Sequence, residues 1–196
     1  MSDNDVVSLL DALFSVQRLT LALVGLMIIE TGILLYFFKD YMLDYPGAGE
    51  LNALGTAEDY ATKSLTFASL TFAGLTFLLA QFFQDGIQLI EEPVFLFTVG
   101  FGLFILSYKL EVFAATQRIR LSTQQRLFNF GVLFVVSGLV VFFSRISTQL
   151  MIPVAIIAVL VFGLHVAEFI GDYRSYGVEV KNEKKDEKEQ RSLDEF

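Results

Sequence analysis

The first long apolar stretch, Leu19–Phe38, reads LTLALVGLMIIETGILLYFF and decides the fold class. It contains twenty residues and a single charged group, Glu30. A helix of this length rises about 30 Å, which matches the hydrocarbon core of a bilayer. The stretch therefore predicts a membrane-spanning helix.

Four more apolar stretches follow along the chain. Together with the first they predict spans at residues 19–38, 65–83, 94–113, 127–143 and 152–170. Each stretch is apolar on all sides and does not alternate at every second residue, which favours helices over a transmembrane β-barrel. We expect an all-α polytopic membrane protein, built as a bundle of five transmembrane helices.

Two polar segments flank this 19–170 transmembrane domain. Residues 6–14 place apolar side chains at helical spacing, which predicts an N-terminal amphipathic helix within residues 1–18. We expect it to pack on the protein or to continue into the first span, because its acidic residues disfavour an anchor on anionic headgroups. Residues 171–196 contain like charges four apart, such as Glu183 and Glu187, which destabilise a helix. This pattern predicts a disordered C-terminal tail.

The composition excludes several kinds of chemistry. The chain has 0 Cys, so it contains no disulfide, thiolate metal site or cysteine nucleophile. It has 1 His and a net charge of −8, which argue against a His-rich metal site and against nucleic-acid binding. We find no phosphate-binding loop and no dinucleotide fingerprint. We therefore expect a protein that is not an enzyme and has no cofactor, no metal and no nucleic-acid partner.

The distribution of basic residues predicts the orientation in the membrane. One side has two basic residues near the spans, Arg18 and Arg145. The other side has nine, namely Lys39, Lys63, Arg118, Arg120, Arg126, Arg174, Lys181, Lys184 and Lys185. We expect an integral protein of the cell membrane with its N-terminus outside and its C-terminal tail in the cytoplasm.

Glu30 is the most informative residue, because it lies near the middle of the first span. A carboxylate at that depth costs about 2.5–3.5 kcal/mol to insert, so it needs shelter or a partner. Lys109 in the third span and His165 in the fifth lie at compatible depths, and Glu168 follows His165 by one turn. These four residues form a predicted buried charge cluster, a candidate ion or partner site.

Three interpretations of this cluster remain open. It is a proton or ion relay, a structural charge pair that fixes helix packing, or a docking site for a membrane helix of a partner. The leading expectation for function is a non-catalytic integral membrane subunit with an assembly, scaffold or sensing role. It would act through helix packing with a homo-oligomer or with a membrane or soluble protein partner. The alternative is a small oligomeric channel or transporter that uses the cluster.

Small residues inside the spans predict where helices approach closely. Gly25 and Gly32 share one face of the first span, and Gly131 and Gly138 share one face of the fourth. The second span contains the repeat Leu-Thr-Phe with a period of five residues, starting at Leu65. This period moves the threonines around the helix, so we expect each hydroxyl to bond its own helix and not to line a pore.

Overall fold

The computed structural model describes residues 16–43, 50–85, 91–114 and 118–194. Within these ranges the chain is helical almost throughout and forms five helices: α1 Val16–Leu43, α2 Glu50–Asp85, α3 Glu91–Ala114, α4 Arg118–Ile146 and α5 Thr148–Asp194. The predicted amphipathic helix at residues 1–18 lies almost entirely outside the described residues.

All five helices are long and apolar enough to span a membrane. The membrane-length segments are Val16–Lys39, Gly55–Ala80, Glu91–Glu111, Ile119–Ile146 and Thr148–Val178. Each predicted span lies within one of the five helices. The all-helical class and the five spanning-length helices are therefore confirmed for the described part of the chain.

Helix α4 lies at the centre of the bundle, and each of the other four helices packs against it. Helix α3 makes the most extensive contact with α4, and α2 packs mainly against α3. The main apolar core, formed by α1, α3 and α4, includes Leu23, Leu96, Phe130 and Phe134. Helix α5 packs more loosely, and 11% of its most apolar window is buried inside the protein.

Glycines explain how closely α3 and α4 approach each other. A Cβ atom on Gly131 would lie 2.7 Å from the Phe104 ring, and one on Gly138 would lie 2.8 Å from the Phe97 ring. These two close approaches were predicted from the sequence. The same prediction fails for Gly25 and Gly32, because no atom of the described residues lies within 4 Å of the Cβ position of either glycine.

The threonine repeat of α2 behaves as predicted. Thr66, Thr71 and Thr76 each donate a hydrogen bond to the backbone carbonyl four residues earlier, at 2.9, 2.7 and 2.9 Å. Each hydroxyl is thereby satisfied within its own helix. The repeat does not form a polar stripe.

The C-terminal segment differs from the predicted disordered tail, because α5 continues without interruption to Asp194. Like-charge pairs disfavour a helix, but elongation of the preceding helix outweighs them. Adding residues to an existing helix needs no new nucleus, and Lys, Glu, Gln and Arg are good helix formers. The segment after Gly177 contains neither glycine nor proline, so nothing in it ends the helix.

Candidate functional site

Glu30 faces the interior of the bundle and is 3% exposed. It belongs to a buried stripe on α1 that also contains Leu23, Leu34 and Phe38. The spacing of seven, four and four residues is that of one helix face. The neighbouring Ile28 and Ile29 are exposed, so α1 turns its carboxylate inward and its isoleucines outward.

Two basic side chains bind the two oxygens of Glu30. The Nη1 atom of Arg126 on α4 donates to Oε2 at 2.8 Å. The Nε2 atom of His165 on α5 lies 2.9 Å from Oε1. We call Glu30, Arg126 and His165 the ion triad. It joins α1, α4 and α5, and each of its side chains is less than one-tenth exposed.

Further contacts hold the two basic groups in place. The Arg126 guanidinium lies 5.3 Å from the centre of the Phe169 ring, and its Nε is 3.4 Å from the Ser122 hydroxyl. The His165 ring meets Phe130 edge to face, with 5.0 Å between ring centres. Aromatic faces attract a cation and also exclude water. The ion triad therefore lies in a dry, preorganised setting on one side.

On its other side the ion triad borders a small polar cavity. The space available to water is about 10 Å³, enough for about one water molecule. The walls of this polar cavity come from α1, α4 and α5, namely Glu30, Gln125, Arg126, Asn129, His165, Glu168, Phe169 and Asp172. The Nδ1 atom of His165 is buried and has no hydrogen-bond partner within the described structure.

Glu168 forms the outer wall of the polar cavity and ties α5 to α4. Its Oε1 accepts a hydrogen bond from Gln125 at 2.8 Å, and its Oε2 accepts one from Asn129 at 2.8 Å. The Tyr60 side chain of α2 also lies close to the Glu168 carboxylate. Four of the five helices thus supply polar groups at this level of the bundle.

A second polar network links α2, α3 and α4 close to the first. The Ser64 hydroxyl donates to the Ser107 hydroxyl at 2.9 Å, and the Ser107 hydroxyl donates to the Gln124 carbonyl at 2.9 Å. The Gln124 side chain donates in turn to the Ala57 carbonyl at 2.9 Å. Ser64, Ser107 and Gln124 are 0% exposed, so these bonds bridge helices in a dry interior. We call these three residues the serine network.

The structure brings together three of the four predicted cluster residues. Glu30 and His165 are in direct contact, and Glu168 lies in the wall of the same cavity. Lys109 is not part of the group. It is exposed, and its ammonium lies 5.7 Å from the centre of the neighbouring Tyr108 ring. The prediction rested on position along each helix, which does not specify which way a side chain points around that helix.

Sequence reasoning missed Arg126, the cation that actually pairs with Glu30. It assigned residues 114–126 to a basic loop, whereas α4 begins at Arg118 and places Arg126 two turns inside the helix. One signal was available. Ser122, Gln124, Gln125 and Asn129 surround Arg126 in the sequence, and such uncharged polar residues can form interhelical hydrogen bonds.

The ion triad balances its charge when His165 is neutral. Arg126 is always protonated, so it neutralises the Glu30 carboxylate. The geometry favours the His165 tautomer that carries its proton on Nε2 and donates it to Glu30. Nδ1 is then an acceptor with no hydrogen-bond donor among the described residues.

The described residues contain no group of three His, Asp or Glu side chains arranged to hold a metal ion. No family model, no curated protein and no solved structure matches the chain. The geometry of the polar groups and of the helices is therefore the basis for the function proposed next.

Proposed function

We propose that the protein is a non-catalytic integral membrane subunit that acts by association, with α5 carrying its interaction segment. The five-helix bundle inserts in the membrane, and the end of α5 projects from it to meet a partner or a second copy. Under the orientation predicted by the basic residues, this projection is cytoplasmic.

The length of α5 is the observation that carries the proposal. The helix contains 47 residues, which at about 1.5 Å per residue extend about 70 Å. A bilayer core is about 30 Å thick, so roughly half of α5 lies beyond it. The apolar part ends near Ile170, and the residues after Gly177 are rich in both signs of charge. A long charged helix that extends beyond the membrane is suited to contact with another protein.

The ion triad supports the proposal because it fixes α5 within the bundle. His165 lies shortly before the projecting part and is bound to Glu30, while Glu168 is bound to Gln125 and Asn129. Helix α5 is otherwise loosely packed. These polar contacts therefore determine the direction of the projecting helix, which is what a scaffold or a sensing element requires.

The test compares the full chain with a chain that ends at Val178, in native membranes and after mild extraction. We expect the full chain to elute as a complex of defined stoichiometry, measured by native mass spectrometry. The shortened chain should lose that complex and keep the helix content and thermal stability of its membrane domain. Lys109→Gln is the matched control, because it removes an exposed charge from the membrane domain and should keep the complex.

Two results would contradict the proposal. One is a full chain that stays monomeric and carries no stoichiometric partner under any extraction condition. The other is a complex that survives loss of the residues after Val178. Absence of the chain from the membrane fraction would contradict the membrane placement itself.

A second candidate function is a small oligomeric channel or transporter that moves protons. The polar cavity and the unpartnered Nδ1 of His165 favour it, because they give a proton a place to arrive beside Glu30. The next turns of α4 oppose it, since Phe130, Leu133 and Phe134 are buried in the apolar core. Proton flux into liposomes that is lost in Glu30→Gln but kept in Glu92→Gln would favour this candidate. Absence of flux in the unaltered protein would oppose it.

A further inference from the structure

A long apolar groove lies on the half of the bundle away from the ion triad. Helices α2, α3 and α4 enclose a volume of about 380 Å³ there, within the range of about 300–1,000 Å³ that small-molecule sites occupy. We call this volume the lipid-side groove. Its walls include Phe67, Leu70, Gly74, Phe97, Leu139 and Phe142.

The chemistry of the groove excludes a polar occupant. Among the described residues that line it, Thr71 is the one with a polar side chain. Its hydroxyl already donates to the Phe67 carbonyl at 2.7 Å, so it has no free hydrogen to donate to a ligand. Binding a polar ligand here would leave that ligand's hydrogen-bonding groups unsatisfied, which is unfavourable in an apolar setting.

The shape of the groove indicates an extended occupant. Its lining residues run along α2 from Phe67 to Leu78 and along α4 from Val135 to Phe143. At about 1.5 Å per residue these segments are about 16 and 12 Å long. Half of a bilayer core is about 15 Å, which is the depth reached by the hydrocarbon chains of one leaflet. The groove therefore has the length and direction of one lipid chain.

We propose that the lipid-side groove is a specific site for a single acyl chain of a membrane lipid. The proposal rests on the membrane placement proposed above but not on association through α5. A chain in the groove contacts aromatic and aliphatic walls on several sides and replaces contacts that an empty groove would lack. It is held longer than the lipids that cover the exposed surface of α5.

Gly74 allows a direct test, because it lies in the lining and leaves the groove open. A Cβ atom there would meet only Phe97, at 3.7 Å, which is ordinary contact, so Gly74→Leu fits the helix and fills the groove. Gly163→Leu is the matched control. It adds the same side chain to α5 at an exposed position with no atom within 4 Å of its Cβ.

The measurement is native mass spectrometry after extraction in mild detergent and addition of one phospholipid of known mass. We expect the unaltered protein and Gly163→Leu to retain one lipid per chain, and Gly74→Leu to retain at least tenfold less. Thermal melting by circular dichroism checks that both variants are folded.

A tryptophan probe gives an independent measurement, since the chain contains 0 Trp. Leu70 in the groove is 65% exposed and Leu164 on α5 is 70% exposed, so Leu70→Trp and Leu164→Trp start from similar exposure. In detergent, a phospholipid with brominated chains should quench the Leu70→Trp fluorescence in a saturable way near one equivalent. Quenching of Leu164→Trp should rise gradually without saturating.

Three outcomes would overturn the proposal. The unaltered protein retains no lipid, Gly74→Leu retains lipid as well as the control does, or the two tryptophan probes are quenched alike. Loss of lipid together with a change in oligomeric mass would also overturn it, because the groove would then be a contact with a second copy of this chain. The first three outcomes do not depend on the complex formed through α5, so they test this proposal separately from the association proposal.

Discussion

Replacing Glu30 by glutamine should destabilise the bundle strongly, although the two side chains have almost the same shape. The amide introduced by Glu30→Gln can still accept hydrogen bonds, but it removes the carboxylate that the buried Arg126 guanidinium contacts directly. Breaking a buried ion pair on one side costs about 3–5 kcal/mol, whereas a single interhelical hydrogen bond in a membrane protein averages about 0.6 kcal/mol. We expect a loss of about 3 kcal/mol in the free energy of unfolding, or about a hundredfold in the folding equilibrium.

The chain contains a matched control for this substitution. Glu92 and Arg145 form an ion pair at 2.9 Å, nearly the length of the Glu30–Arg126 pair, but their side chains are 45% and 39% exposed. Exposed pairs contribute about 0–1 kcal/mol. Glu92→Gln should therefore change the free energy of unfolding by less than about 1 kcal/mol. The difference between the two substitutions isolates the effect of burial.

The assay is reversible unfolding in mixed micelles, followed by far-ultraviolet circular dichroism as the fraction of denaturing detergent rises. A double-mutant cycle with Glu30→Gln, Arg126→Gln and the double variant gives the coupling free energy, which we expect to be about 2–3 kcal/mol. The double variant should recover much of the loss, since it buries no unpaired charge. A coupling below about 0.5 kcal/mol, or an equal loss in Glu92→Gln, would refute the reasoning.

Three further predictions use the same unfolding assay. Ser107→Ala should lower the free energy of unfolding by about 1 kcal/mol, because it breaks the serine network. Thr76→Val should leave it almost unchanged, because the Thr76 hydroxyl bonds only its own helix. Equal effects of the two variants would contradict the interhelical role of Ser107. Gly131→Ala should lower the free energy of unfolding by about 1–3 kcal/mol, because the added Cβ would overlap the Phe104 ring. Gly163→Ala should leave it unchanged or raise it. A Gly131→Ala variant as stable as the unaltered protein would argue against the close packing of α3 and α4. Lys109→Gln should change the free energy of unfolding by less than about 0.5 kcal/mol, because Lys109 is exposed. A loss as large as that of Glu30→Gln would indicate that Lys109 belongs to the buried cluster after all.

The architecture could be predicted from hydropathy, because apolar length alone determines how many helices can cross a membrane. The inward direction of Glu30 could be inferred from energy, since lipid offers a carboxylate no partner. Its pairing with His165 followed from depth. Depth also suggested Lys109, wrongly, because α3 turns that side chain outward. The direction around a helix is set by packing, and helices that are apolar on every face carry no pattern that reveals it.

Two other features were not predicted from the sequence, for physical reasons. Mean hydropathy places Arg126 outside the predicted span, because the average counts its charge as polar. It contains no information on whether a residue of another helix neutralises that charge. Moving Arg126 from the basic side into the bundle leaves eight basic residues against two, so the predicted orientation is unchanged. The helical end of α5 was not predicted because the like-charge pairs were considered alone. The helix that precedes them already provides the nucleus from which elongation continues.

The most direct test of the central claim is the distance between Glu30 and the ring of His165. The chain has 1 His, so a ¹⁵N-labelled histidine reports this site alone in solid-state NMR of the protein in bilayers. The 2.9 Å separation of Nε2 and Oε1 predicts a strong dipolar contact between Nε2 and a ¹³C-labelled glutamate carboxyl carbon. That contact should vanish in Glu30→Gln and persist in Glu92→Gln. A histidine with no carboxyl contact, or a contact that survives Glu30→Gln, would contradict a carboxylate sheltered between α1, α4 and α5.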